Sequence, residues 1–355
     1  MKYPINPHYS NTTIKKAGND IRLYSIDSEE YKNAVKTINN WRVAHGFPMS
    51  IVAKSLGVRT RKYKNSLVAQ RLKRLPTIIN KLGREPDMAL SRMQDIGGAR
   101  AVVNTVSDVY DLLAYYQKSR KFSPYIKTRD YIAQPKPGGY RGIHVIFKYD
   151  GSMSPSQQSD DYTGLSIEAQ LRTQLQHTWA TAVETLSTMR GENYKAGFGH
   201  ADLLEFFALS SAAFSILEES PAPDRFEGMN IVEICKSMIK LDDTNNILGQ
   251  ITGYAYAADI IDSKHIGGDY NLITLDVKKH IVDITSFSSD QLEVASEAYR
   301  KTEERAARGE NIESVLVSAG KLKSLKLAYP NYFLDISSFY EKIHVMYSTI
   351  DDDNL

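Results

Sequence analysis

A run of basic side chains between residues 59 and 84 is the strongest chemical feature of the sequence. It contains nine lysines and arginines and no aspartate or glutamate. So many cations without a neutralising carboxylate favour a polyanionic ligand, although a solvated basic face is the alternative. A helix predicted over about 66–82 would place Arg71, Arg74 and Lys81 on one broad face, with Lys73 and Thr77 four residues apart. Several cations could then converge on one triphosphate.

Asp95 is the second candidate, because it stands just before the pair Gly97-Gly98 and an apolar stretch over 101–103. The sequence predicts a short helix over 89–95, a tight glycine turn and a buried strand. A carboxylate at the mouth of a sheet could hold Mg²⁺ against ATP phosphates, and the glycines would let a nucleotide approach the backbone. A simple capping or turn role for Asp95 stays open at this stage.

The segment from Leu165 to Arg172 alternates strictly between apolar and polar residues, the period of a half-buried strand. Glu168, Gln170 and Arg172 therefore share one face. Glu168 could act as a general base on a hydroxyl or share the metal ion, while Arg172 could neutralise developing phosphate charge. An ordinary solvent-facing strand surface would show the same pattern.

The loop over 135–144 is rich in proline and glycine and presents four polar or aromatic side chains, namely Lys136, Tyr140, Arg141 and His144. A tyrosine in this setting offers a flat face to a nucleobase, and its cationic neighbours can hold phosphates. The loop therefore indicates a nucleotide-binding segment.

The elements that must position these residues are helices interleaved with strands. Helices are predicted over 28–56, 106–117 and 174–187, strands over 143–149 and 165–172, and a surface loop over 151–163. This order indicates an α+β (mixed α/β) domain over about residues 25–200, with a mixed sheet flanked by helices. Residues 201–355 read as a mostly helical accessory region with a β-hairpin, 272–277 and 281–287, and a long charged helix over 290–308.

Composition limits the function classes further. The 355 residues carry a formal net charge of only +2, so polyanion binding must come from local clusters. The single cysteine, Cys235, excludes an internal disulfide and a cysteine metal cluster, and it reads as a small buried apolar residue. With no signal peptide or membrane-spanning run, we expect a cytoplasmic protein without a membrane partner.

Four ordered motifs over about residues 40–195 together resemble the synthetase domain of the RelA/SpoT family. Arg71 and Lys73, followed by Thr77 and Lys81, are similar to the Arg-x-Lys, Ser and Lys run with which the family grips the donor ATP. Threonine replaces the usual serine and keeps the hydroxyl. The resemblance implies that these four residues bind ATP.

Two further motifs carry the implied catalytic groups. Asp95 to Arg100 resembles the family's Asp-(Leu/Ile)-x-Gly-x-Arg motif, which implies Asp95 as a Mg²⁺ ligand and Arg100 as a phosphate contact to ATP. Ile167 to Thr173 resembles the Glu-Ile-Gln-Ile-Arg-Thr strand, with Ala169 in place of isoleucine. This implies that Glu168 activates the ribose 3′-hydroxyl and shares the metal ion.

The acceptor site is implied by the remaining motif. Lys136 to His144 resembles the Lys-Pro-Asn-Gly-Tyr-Arg-Ser-x-His loop, with Gly138 where asparagine is common, and implies that Tyr140 stacks on guanine. His177 stands where small family members often carry a guanine-reading asparagine. The implied acceptor-binding residues are Lys136, Tyr140, Arg141, His144, Gln170, Arg172 and His177.

The resemblance implies a nucleotidyltransferase-like fold that transfers pyrophosphate from ATP to the 3′-hydroxyl of GDP or GTP, with Mg²⁺ as cofactor and without its own hydrolase. Two alternatives stay open: a toxic relative that pyrophosphorylates tRNA 3′-ends or adenosine nucleotides, with tRNA contacting the cations at 59–64, and a non-catalytic nucleotide sensor. Small members use helices after the core to form oligomers, so a homo-oligomer is a further expectation. An inhibitory or sensing role is the hypothesis for residues 201–355.

Overall fold

The computed structural model describes residues 9–122, 126–154, 160–190, 192–194, 197–245, 247–248, 269–276, 281–310, 312–317 and 337–352. Among the helices of these ranges, none combines the length and the apolar character needed to cross a membrane. Residues 328–333, which include three aromatic residues and are predicted from the sequence to belong to a core, lie outside the described residues.

The first part of the chain alternates helices and strands up to residue 190. Its helices are α1 (Asn11–Leu23), α2 (Glu29–Ala44), α3 (Gly46–Thr60), α4 (Leu75–Arg84), α5 (Val106–Lys118) and α6 (Gln174–Arg190). Its strands are β1 (Leu67–Leu72), β2 (Gly97–Val103), β3 (Ile126–Asp130), β4 (Ile143–Lys148) and β5 (Ser166–Thr173).

These five strands form one mixed sheet in the order β1-β2-β5-β4-β3. Strands β2 and β5 run parallel, and the other neighbours run antiparallel. One face is apolar, because Ala101, Val145, Ile167 and Leu171 are buried in a core shared with α3 and α5. The predicted α+β class with a mixed sheet flanked by helices is confirmed.

The helix predicted over 66–82 is wrong, because residues 67–72 form strand β1 and the helix begins only at Leu75. Strand β1 pairs with β2 along its whole length, and this long-range pairing outweighs the local helical pattern. Pro76, whose fixed φ suits the first turn of a helix, stands at the start of α4. Arg71 therefore lies on a strand, while Thr77 and Lys81 lie on a helix.

The predicted glycine turn is also wrong, since Gly97 and Gly98 are the first residues of strand β2. A β carbon at position 97 would lie 2.6 Å from Cδ1 of Ile167 and 3.3 Å from Cβ of His45. Gly97 thus permits close packing of the sheet against the junction between α2 and α3, where the predicted helix over 28–56 divides in two. The short helix expected before it is a single 3-10 turn, Leu90–Arg92.

The remaining elements belong to two groups. They are helices α7 (Ala201–Leu217), α8 (Ile231–Asn245), α9 (Leu292–Ala307) and α10 (Ser337–Asp352), and strands β6 (Tyr270–Asp276), β7 (Ile281–Phe287) and β8 (Ile312–Val317). Helices α6, α7, α8 and α10 share one apolar core, which includes Trp179 and the buried Cys235. This core therefore contains residues from both sides of position 200, the predicted boundary between the domain and the accessory region.

The second sheet has the order β7-β6-β8. Strands β6 and β7 form the predicted hairpin, and α9 is the predicted long charged helix. Strand β8 was not predicted; it pairs antiparallel with β6 and returns the chain to the sheet after α9.

Candidate active site

The polar face of the five-stranded sheet brings the separate motifs together. Paired residues on neighbouring strands point to the same face, so Arg71, Gly98 and Glu168 form one row across β1, β2 and β5. Arg100 and Gln170 belong to the next row. Because Gly98 has no side chain, the space between Arg71 and Glu168 is open at this position.

Five side chains of this face form a closed ring of hydrogen bonds. Nδ1 of His144 lies 3.0 Å from Oε1 of Glu168, and Nε2 of His144 lies 2.5 Å from the hydroxyl of Tyr140. Arg172 donates from Nη2 to Tyr140 at 3.0 Å and to Oε1 of Gln170 at 2.7 Å. Gln170 completes the ring by donating to Oε2 of Glu168 at 3.1 Å. The structure therefore brings together five of the predicted site residues.

Burial lowers the pKa of His144, but the hydrogen bond to Glu168 and the charges of Tyr140 and Glu168 raise it more strongly. The net result is a pKa above the ordinary value of 6.5. The protonation state of His144 thus depends on its contact with the carboxylate of Glu168.

Asp95 lies between two of the predicted ATP-binding lysines. Its Oδ2 accepts a hydrogen bond of 2.5 Å from Nζ of Lys73, and its Oδ1 lies 3.8 Å from Nζ of Lys81. Burial lowers the pKa of Lys73, although the charge of Asp95 opposes this effect. The turn or capping role left open for Asp95 is not what the structure describes, because its carboxylate pairs with side chains.

The donor set around Asp95 fits a magnesium ion. Within the described ranges, no group of three or more His, Cys, Asp or Glu side chains could hold a metal ion. Mg²⁺, however, usually binds through one or two carboxylates together with substrate phosphates. Oδ1 of Asp95 is buried and has no hydrogen-bond partner among the described residues, so it is an oxygen ligand of the required kind.

Arg100 and Arg172 concentrate positive charge on the same face. Burial and then the charges of Arg172 and Arg71 lower the pKa of Arg100 to about 10. The Nε atoms of Arg100 and Arg172 are buried and have no hydrogen-bond partner among the described residues. Buried cations with unused donors are stabilised by an anion, which agrees with the predicted phosphate contacts.

His177 lies in the first turn of α6, beside Arg100. Its Nδ1 is 3.5 Å from Nη1 of Arg100. Burial, followed by the charges of Arg100 and Arg172, places the pKa of His177 well below its ordinary value. The imidazole is therefore neutral at physiological pH and can accept a hydrogen bond.

Tyr140 does not present the open flat face that the sequence predicted. Its side chain is only 3% exposed and lies among Tyr131, His144 and Trp179. Nζ of Lys136 lies 5.4 Å from the centre of its ring. In this conformation, stacking on guanine requires displacement of a neighbouring side chain, and of these neighbours Lys136 is the exposed one.

Arg141 is not brought into the site. It is 2% exposed, and its Nη2 lies 2.7 Å from Oε2 of Glu218, just beyond α7. The prediction that Arg141 contacts the acceptor is therefore corrected. Arg141 forms a buried ion pair with Glu218 instead.

Two carboxylates next to the site were missed by the sequence analysis. Glu218 is the first, and Glu303 of α9 is the second. Glu303 is 3% exposed and accepts a hydrogen bond of 2.9 Å from the backbone N–H of Leu75, the first residue of α4. No local pattern identifies either residue, because each contact joins segments that are distant in the chain.

A cleft of about 960 Å³ continues the polar face beyond Glu168. Its lining includes Gln94, which directly precedes Asp95, and Ser166, two residues before Glu168 on β5. It also includes four cations, Arg92, Lys127, Arg129 and Lys148. Strand β3, on which Lys127 and Arg129 alternate with other residues, was not predicted from the sequence. The cleft is large enough for a nucleotide.

Fold and site thus define an α+β protein with carboxylates and buried cations gathered on one sheet face, an arrangement suited to nucleotide phosphates. Residues 70–190 match the family model described as "Region found in RelA / SpoT proteins". We refer to residues 70–190 as the RelA/SpoT region; they include all four motifs on which the resemblance rests.

Two curated relatives are each similar to about a third of the chain. GTP pyrophosphokinase YwaC of Bacillus subtilis is 29% identical over 116 residues, which cover 31% of this chain and 52% of the relative. GTP pyrophosphokinase YjbM of the same organism is 31% identical over 122 residues, which cover 34% and 55%. The chain therefore spans about half the length of the curated relatives it matches.

Among solved structures, small alarmone synthetase 1 from Bacillus subtilis, bound to its product pppGpp, is 24% identical. The match covers 52% of this chain and 94% of that chain, with a TM-score of 0.43. A GTP pyrophosphokinase family protein from Streptococcus pneumoniae is 22% identical, covers 54% and 91%, and has a TM-score of 0.40.

Proposed function

We propose that this chain transfers the terminal pyrophosphate of ATP to the ribose 3′-hydroxyl of GDP or GTP. The observation that carries the proposal is the row Arg71, Gly98 and Glu168, in which Arg71 of the proposed donor motif and Glu168, the proposed base, lie two strands apart on one sheet face. The names of the two curated relatives support this reaction class.

On the donor side, the triphosphate is bound by side chains from three elements. Arg71 and Lys73 come from the end of β1, Lys81 comes from α4, and Arg100 comes from β2. Thr77 in the first turn of α4 adds a hydroxyl near the helix N-terminus, where backbone N–H groups favour anions. Together these groups hold the phosphates and neutralise their charge in the transition state.

On the acceptor side, Glu168 takes the proton of the 3′-hydroxyl as its oxygen attacks the β-phosphorus of ATP. The bond from the β-phosphorus to the oxygen that bridges it to the α-phosphorus breaks, and AMP leaves with that oxygen. His144 and Gln170 each hold one oxygen of Glu168 and so orient the carboxylate. Bound with the ATP phosphates, Mg²⁺ would be held by Asp95 and Glu168 and would neutralise triphosphate charge.

Product analysis tests the reaction type. Full-length protein incubated with ATP, Mg²⁺ and GDP should form AMP and a guanosine nucleotide with two added phosphates in equal amounts. Formation of ADP instead of AMP would identify transfer of a single phosphoryl group and contradict the proposal. A protein that binds ATP and GDP but forms neither product is a sensor.

The identity of the acceptor is the finer part of the proposal. Exposed cations just after α3, Arg61, Lys62 and Lys64, favour tRNA as the second candidate, since a basic surface binds a nucleic-acid backbone. Salt-sensitive binding of tRNA together with transfer to its 3′-end would favour this alternative. Transfer to GDP or GTP without tRNA binding would favour the first.

A further inference from the structure

Glu218 connects three elements on the acceptor side of the sheet. It follows α7 directly, outside the RelA/SpoT region, and its side chain is 8% exposed. Oε2 of Glu218 lies 2.7 Å from Nη2 of Arg141 and accepts a hydrogen bond of 3.1 Å from Nε2 of Gln176. Its Oε1 accepts a hydrogen bond from the hydroxyl of Thr173. One carboxylate thus binds the acceptor loop, the end of β5 and the start of α6.

Each partner of Glu218 is the direct chain neighbour of a residue in the proposed acceptor site. The pairs are Arg141 with Tyr140, Thr173 with Arg172, and Gln176 with His177. Because a peptide unit is planar and each residue has only two soft dihedral angles, fixing one residue restricts the direction of the next. Glu218 therefore acts on three acceptor-site side chains without lying among them.

Helix α7 also contacts the acceptor loop at a second point. Oγ of Ser211 donates a hydrogen bond of 2.5 Å to the carbonyl oxygen of Gly139. Gly139 has a φ of +93°, and a β carbon there would lie 2.8 Å from Cβ of Ser211 and 3.2 Å from Cα of Ala208. The loop and α7 are thus in direct contact immediately before Tyr140.

The negative charge of Glu218 balances the positive charge of the buried Arg141. Burial lowers the pKa of Arg141, and the charge and hydrogen bond of Glu218 raise it. A buried pair of this kind adds little net stability compared with apolar residues, but it specifies one arrangement of the groups around it. Such a contact is suited to setting the geometry of a site.

We propose that Glu218 is a positioning residue for the acceptor nucleotide, which it does not touch. It restrains the loop, the strand end and the helix start that carry Tyr140, Arg172 and His177, and it leaves the donor residues on β1 and α4 unaffected. This inference rests on the proposed function.

The test compares Glu218→Gln with Glu219→Gln, the same substitution at the exposed neighbouring position. We expect Glu218→Gln to raise KM for the guanosine nucleotide about tenfold, the effect of an interaction near 1.4 kcal/mol, with KM for ATP within about twofold. Glu219→Gln should leave both constants unchanged. Equal acceptor KM values in Glu218→Gln and wild-type protein, or a parallel rise of both constants, would overturn the positioning role.

Thr173→Val serves as a second variant, since it removes the hydrogen bond to Glu218, together with the one from the backbone N–H of Gln176, without leaving a buried charge unpaired. Thr173→Val should raise KM for the guanosine nucleotide by a smaller factor than Glu218→Gln and leave KM for ATP unchanged. If Glu218→Gln does not fold, Thr173→Val alone tests the positioning role. No rise with Thr173→Val would then contradict the inference. Absence of transfer to any acceptor by the wild-type protein overturns the proposed function itself, which distinguishes the two failures.

Discussion

His144 and Glu168 are joined by a hydrogen bond of 3.0 Å between Nδ1 and Oε1 across the neighbouring strands β4 and β5. The proposed base is therefore oriented by a histidine whose pKa lies above its ordinary value of 6.5, because the contact with Glu168 outweighs the effect of burial. The other ring nitrogen of His144 contacts Tyr140, so the same imidazole connects the base to the acceptor loop.

This contact predicts a pH dependence of stability. The pKa of His144 is raised above 6.5 in the folded protein, so the folded state binds the proton more tightly than the unfolded state. The resulting stabilisation is fully present below about pH 6.5 and is lost as the pH rises through the folded pKa. His144→Asn should therefore flatten the fall in the free energy of unfolding as the pH rises from about 6.5.

Urea unfolding across this pH range measures the difference between the two proteins. The exposed His200 offers a matched control, because His200→Asn should keep the wild-type slope. The same slope in wild-type protein and in His144→Asn would show that the contact with Glu168 does not raise the pKa.

The two candidate carboxylates should be essential for turnover. Asp95→Asn and Glu168→Gln keep the size of each side chain and remove its charge, so we expect each to lower kcat by about 100-fold or more. Steady-state rates with ATP and GDP measure the loss, and circular dichroism checks the fold. The exposed residues Asp111 and Glu293 offer control substitutions to Asn and Gln. A near-normal rate in either variant would refute the role assigned to that carboxylate.

The adjacent glycines of the acceptor loop should respond differently to alanine. Gly139→Ala combines a positive φ with a close approach to Ser211, whereas a β carbon at Gly138 has no atom within 4 Å. We expect Gly139→Ala to lose about 1–3 kcal/mol of stability and to raise acceptor KM. Gly138→Ala should behave like the wild type in thermal unfolding and in kinetics. Similar behaviour of the two variants would mean that the contact between the loop and α7 is required neither for stability nor for binding of the acceptor.

Glu303 should stabilise the start of α4. Its carboxylate accepts from the N–H of Leu75 and from the hydroxyl of Ser314, at 2.9 and 3.1 Å. An anion at a helix N-terminus is favoured by the helix dipole, so Glu303→Gln should cost about 1 kcal/mol in urea unfolding. Glu293→Gln, on the exposed part of the same helix, is the control. An unchanged free energy of unfolding for Glu303→Gln would argue against a stable contact between α9 and α4.

The sequence predicted an element correctly where the residue pattern within that element was enough to identify it. The alternation over 165–172 predicted strand β5 and the face shared by Glu168, Gln170 and Arg172, and the hairpin of β6 and β7 followed from its two apolar runs. Strand β1 could not be predicted, because its partner β2 lies about 30 residues further along the chain. Local propensity decides little when a long-range pairing competes with it.

The same reason explains the errors in the site. Motif spacing placed most candidate residues on the polar face, but it could not show that Arg141 turns away to Glu218. It also missed Glu303, whose contact spans 228 positions of sequence. Helix α7 contributes to the core around Trp179, so a cut at residue 200 would expose apolar side chains. A test of the role of residues 201–355 is therefore better made with point substitutions than with a deletion.

Transfer of label from γ-labelled ATP tests the central claim most directly. Purified full-length protein is incubated with labelled ATP and Mg²⁺, and with GDP, GTP, ADP, unlabelled ATP or bulk tRNA in parallel, with Glu168→Gln as the inactive control. We predict label on GDP and GTP in the wild-type reactions and none in the control. Label on tRNA or adenosine nucleotides alone would contradict the proposed acceptor, and label on no acceptor at all would contradict pyrophosphate transfer itself.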